Sequence, residues 1–143
     1  MDGVGRLRGS LGVLGPGLAV ALLWASAQVA SAHHSLGGEF DTRKTVILNG
    51  VVSRVDWANP HIYLYLDVTD SHGKVATWQL ECVPVAMAHK AGVSKKMLLA
   101  DGAHVTVDAY PARDGTPNLG FMAKITYVDG HNFQFAADAP GAK

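Results

Sequence analysis

Apolar and polar residues alternate along His61 to Val68, with Ile62, Leu64, Leu66 and Val68 on one side and His61, Tyr63, Tyr65 and Asp67 on the other. A period of two over this length predicts a strand with one face in a core, which would bury the aliphatic set and turn the two tyrosines outward. Val75 to Glu81 repeats the period, setting Trp78 and Leu80 against Thr77, Gln79 and Glu81, and Asp70-Ser71-His72-Gly73 between the two segments has the composition of a turn. Upstream, Thr45 to Val55 is β-branched and apolar, with Gly50 in its middle where a long strand would bend or bulge. These three segments predict a meander.

The pattern then changes. Pro84 to Ala91 predicts a short helix with Gly92 as its stop, and Ser94 is placed to cap a further brief turn over Lys95 to Leu99. His104 to Tyr110 and Gly120 to Val128 predict the fourth and fifth strands, and Asp129-Gly130 predicts a hairpin turn into Asn132 to Phe135. Three strands, a helix and two more strands, with a kinked first strand, is the order of an all-β, five-stranded OB-like barrel with one short helix between strands three and four. A small β-sandwich is the competing arrangement. The barrel is assigned to residues 45–135, an N-terminal arm to 33–44 and a flexible tail to 136–143.

Residues 1–32 have a different character. Arg6 and Arg8 precede an apolar stretch from Leu11 to Trp24, and small residues then run from Ala25 to Ala32, ending in Ala30-Ser31-Ala32. This order predicts a Sec-type secretory signal peptide cut between Ala32 and His33, and hence a periplasmic or secreted protein. Gly15, Pro16 and Gly17 interrupt the apolar stretch, which leaves too little to span a bilayer, so no stable membrane anchor is expected after processing. Leu7 separates the two arginines, against a twin-arginine route.

Removing 32 residues from 143 leaves 111, with ten basic and eleven acidic side chains and all seven histidines. A near-neutral balance supplies no basic stripe for phosphates, so nucleic acid is not expected as a partner. The single Cys82 excludes an internal disulfide and a multi-cysteine zinc site, and at the end of a predicted strand it reads as a small buried side chain.

Several short segments taken together carry a resemblance: His33-His34-Ser35, Phe40-Asp41, Trp57-Ala58-Asn59-Pro60-His61, Trp78-Gln79-Leu80-Glu81, Asp101-Gly102 and Pro111-Ala112-Arg113-Asp114-Gly115. The chain resembles a bacterial family of small exported proteins of unknown function. The resemblance spans nearly the whole mature chain and implies export but no activity; Cys82 departs from the pattern.

The expected cut makes His33 the N-terminal residue. Its α-amine, with an ordinary pKa near 7.7–8.0, and its imidazole can chelate one metal together. Nitrogen-rich tetragonal coordination favours Cu(II), so copper is the expected cofactor, with His61 as first candidate for a further imidazole and His34 as second. His34 also offers a separate mode through the amine, the intervening amide nitrogen and its own ring. The plain alternatives are a polar leader with weak metal affinity and a His61 that hydrogen-bonds its turn. A second constellation is the strand face bearing Tyr63, Tyr65 and Glu81 with Thr77 and Gln79, a place where OB barrels bind ligands. It would take a sugar, a peptide or a protein partner of the cell envelope without metal; ordinary cross-strand pairing is its plain alternative.

Enzyme chemistry finds less support. No G-x-S-x-G pattern surrounds Ser35 or Cys82, no H-E-x-x-H zinc pattern occurs, and Asp41, Asp56 and Glu81 lack a spacing that makes a carboxylate pair. Haem is not expected, because the His-x-x-x-Tyr attachment pattern of an OB-type haem chaperone is broken by Phe135 four positions after His131, and no nucleotide motif is present.

Overall fold

The structure, a computed structural model, describes residues 35–137. The expected signal segment, His33, His34 and the tail beyond residue 137 lie outside the described residues.

A four-residue helix, α1 (Leu36–Glu39), precedes a meander of β1 (Val46–Asp56), β2 (Tyr63–Thr69) and β3 (Val75–Glu81). Two short helices, α2 (Val85–Lys90) and α3 (Lys95–Leu99), and a 3-10 turn (Ala100–Gly102) lead to β4 (His104–Pro111), β5 (Leu119–Tyr127) and β6 (Asn132–Gln134). The sheet runs β3-β2-β1-β4-β5-β6, and β3 also pairs with β5 in parallel through Gln79↔Leu119, Leu80↔Gly120 and Glu81↔Phe121. That parallel contact closes five strands into one barrel of OB type. Closure excludes the β-sandwich, which would need two separate sheets.

The connection between β3 and β4 holds two helices where one helix and a turn were expected. Pro84 sits one position before α2, where its missing N–H removes no helical bond, and Gly92 follows the helix at φ 75°. Ser94 caps α3 by accepting the Met97 amide on Oγ at 3.4 Å.

Gly50 serves a purpose other than a bulge. The N-terminal half of β1 pairs with β4 and its C-terminal half with β2, and Val51 has partners in both, so the strand passes between two halves of the barrel at this point. A Cβ on Gly50 would stand 2.3 Å from the Asp67 carbonyl oxygen. Only a residue without a side chain admits that approach. The register shift lies further on, between Val52 and Arg54.

Alternation along β2 has the expected phase. Ile62, Leu64 and Leu66 are fully buried, joined in the core by Leu80, Val107, Met122 and Ile125, while Tyr63 and Tyr65 face outward and are half-buried. Each large aliphatic side chain gains about 1.5–3 kcal/mol on leaving water, so the inverted register would forfeit several such contributions.

The segment before β1 lies on the barrel. Phe40 is 3% exposed and forms a backbone bridge with Ala112, the Asp41 amide donates to the Pro111 carbonyl at 2.9 Å, and the Arg113 amide donates to the Glu39 carbonyl at 2.8 Å. These bonds attach α1 and its continuation to the β4–β5 loop.

Candidate functional site

The outer face of β2 and β3 is polar because every second residue of a half-buried strand points away from the core. Register sets Tyr63 opposite Glu81 and Tyr65 opposite Gln79. The Tyr63 hydroxyl donates to Glu81 Oε2 at 3.1 Å, and the other carboxylate oxygen, Oε1, lies 2.6 Å from Nδ1 of His61. One carboxylate therefore holds a phenol and an imidazole at once.

The Glu81 side chain is only 12% exposed and that of His61 is 34% exposed. In the neutral imidazole the bond to Glu81 places the proton on Nδ1 and leaves Nε2 with its lone pair. Burial, reinforced by the Glu81 charge, pushes the Tyr63 phenol above its ordinary value, so it remains a hydrogen-bond donor at neutral pH. His61 hydrogen-bonds a side chain twenty residues away, not the turn that was its plain alternative. The peptide bond between Asn59 and Pro60, just before it, is cis.

Tyr65 does not join this group. The Arg54 guanidinium lies 3.8 Å above its ring, which covers one aromatic face with a cation. On the neighbouring pair Thr77 donates to Asp67 at 2.6 Å.

Beside Tyr63 and Glu81 opens a cleft of about 560 Å³, within the size range of small-molecule sites. Strands β2 and β3 supply Tyr63, Gln79 and Glu81, α1 and its continuation supply Glu39 and Phe40, and the β4–β5 loop supplies Arg113 and Asp114. The Asp114 carboxylate accepts the Thr116 amide at 2.9 Å, a bond that holds its pKa below the usual range and keeps it ionised. Arg113 reaches back to the Phe40 carbonyl at 3.5 Å.

Sequence reasoning found Tyr63, Gln79 and Glu81 from alternation, but it did not bring Glu39, Phe40, Arg113 and Asp114 to the same place. Their only signal was the Phe40-Asp41 and Pro111-Ala112-Arg113-Asp114-Gly115 segments, read as family pattern and not as a wall. The remaining histidines are dispersed: His72 and His131 in turns, His104 at the start of β4, and His89 on α2 with its ring 5.4 Å from Trp57. Among the described residues no three His, Cys, Asp or Glu side chains form a metal-holding group. Cys82 is fully buried, and burial pushes its thiol up to about 12, so it carries no thiolate for catalysis at neutral pH.

Against known proteins, the model of a family of unknown function (DUF6152) matches residues 21–122, about seven-tenths of the chain. The chain belongs to this family. No curated protein and no solved structure matches it. The expectation of a family of unknown function is thus borne out.

Proposed function

We propose that the protein is an exported Cu(II)-binding module, processed after Ala32 and anchored on the amine and imidazole of His33, with His61 or His34 as the further ligand. The observation that carries this reading is the His61–Glu81 pair. Histidines that hold metals commonly donate their other ring N–H to a carboxylate, which fixes the tautomer and makes the free nitrogen more basic. His61 has that partner at 2.6 Å, and Tyr63 holds the partner in turn.

Processed protein starting at His33 should bind one Cu(II) at pH 7, followed by calorimetry and by the spin-resonance signature of nitrogen ligands. Acetylating the His33 amine should weaken binding at least about tenfold, because it removes the chelating amine. Equal affinity of the two forms would eliminate the amine-anchored mode, and unchanged binding in His61→Ala would remove that residue from the site. Protein recovered from the cell envelope with a start at residue 1, or anywhere beyond His34, would remove the amine-anchored reading.

A second reading, a metal-free module that takes a sugar, peptide or protein partner through Tyr63, Tyr65 and Glu81, draws its support from the cleft beside Tyr63 and Glu81. Titrating metal-free protein with candidate partners tests it, with Tyr63→Ala expected to weaken capture and unchanged capture counting against it.

A further inference from the structure

We infer that the cleft between the β2–β3 face and the β4–β5 loop is a saccharide site, an inference that rests on the second, metal-free reading and names its ligand class. Three physical features select that class. The first is the mixture of donors and acceptors within one small volume. Glu39, Glu81 and Asp114 present carboxylates, Arg113 a guanidinium, and Gln79 an amide that both donates and accepts.

The second is the sign of the charge. Three carboxylates against one guanidinium disfavour an anion such as a phosphate. A cation is disfavoured for other reasons. Arg113 stands in the same wall, both oxygens of Glu81 are engaged by His61 and Tyr63, and Asp114 Oδ1 is engaged by the Thr116 amide. A neutral polyol meets both kinds of group, since each hydroxyl donates to a remaining carboxylate lone pair and accepts from Arg113 or Gln79.

The third is the apolar part of the lining. Leu119, partly exposed, lies in the cleft beside the polar groups, giving the C–H face of a pyranose a surface to cover. Gln79 is exposed and Arg113 is exposed, so neither is committed to the core.

The test uses processed full-length protein with a metal chelator present, which separates it from the copper reading. Cellotriose, chitotriose and maltotriose are each titrated to roughly 10 mM, enough to reveal millimolar ligands, and amide NMR shifts are followed. The expected result is that at least one trisaccharide shifts the amides of Gln79, Arg113 and Asp114, and that Gln79→Ala and Arg113→Ala each weaken it about tenfold while melting as the parent does. Trilysine, trialanine and inorganic triphosphate serve as charged and peptide probes. A peptide that occupies the cleft while all three sugars fail would overturn the saccharide inference and leave the metal-free module standing. Silence from every probe would overturn the saccharide inference, and so would sugar shifts that the two variants leave unchanged, because binding would then lie elsewhere.

Discussion

Asp41 illustrates how one carboxylate can set an acid limit. It is 6% exposed, accepts Arg43 Nε at 3.1 Å and the Arg43 amide at 3.3 Å, and lies 3.4 Å from the Lys44 ammonium. The Arg43 side-chain bond, opposed by burial and aided by the remaining contacts, lowers its pKa from 3.8 to about 2. A carboxyl more acidic folded than unfolded stabilises the fold above the unfolded value and loses that contribution as pH falls through the folded one. Asp41→Asn should therefore be less stable than the parent at pH 7, and the difference should shrink between pH 4 and about 2. Thermal melts of both proteins across that range check it; a constant difference would assign the effect of Asn to packing alone. Asp41 also stands next to Phe40, so this salt-bridged corner secures the wall of the cleft at its base.

Among the elements, β1 carries its tightest constraint where it passes from one neighbour to the other. At Gly50 the strand leaves β4 for β2, and the Asp67 carbonyl occupies the space of a side chain. Gly50→Ala should cost about 3 kcal/mol, at the top of the usual overpacking range, since the Asp67 backbone must move. Denaturant unfolding measures this, and a loss below about 0.5 kcal/mol would show that β2 can retreat without breaking its ladder. A central glycine in an otherwise β-branched strand was visible in the chain, but its meaning was not: a bulge and a close crossing look alike until the partner strand is placed. Ile62, Leu64 and Leu66, by contrast, declared their side of β2 through alternation alone, because period and burial are both local properties of a strand. The His61–Glu81 pair falls between these cases. Both residues were singled out, yet their meeting depends on the Tyr63↔Glu81 register, which no local pattern specifies.

On the scale of the whole molecule, the cleft exists because closure of the barrel carries the β4–β5 loop to β3 and the segment before β1 to the loop. Arg113 and Glu39 are 74 positions apart, and a backbone bond joins them. Contacts of such separation leave no periodic trace, which is why most of the lining escaped a reading of the chain. The same geometry explains why α1, only four residues long, has a defined place: its stability is borrowed from Phe40 and the loop, not from helical bonds.

The parallel contact between β3 and β5 has a dynamic consequence. It comprises three residue pairs, against seven in each of the β2–β3 and β4–β5 ladders, so it is the shortest seam in the closed circuit of five strands. Barrels breathe where the fewest bonds must part, and amide hydrogen exchange reports such openings residue by residue. The amides of Gln79 to Glu81 and Leu119 to Phe121 that bond across the seam should exchange with solvent well before those joining β1 to β4; uniform exchange would mean the barrel opens only as a whole. Gln79 and Leu119, a pair in that seam, both line the cleft. An occupant resting on both would act as a stitch, and its arrival would be legible as slowed exchange in strands on either side of it.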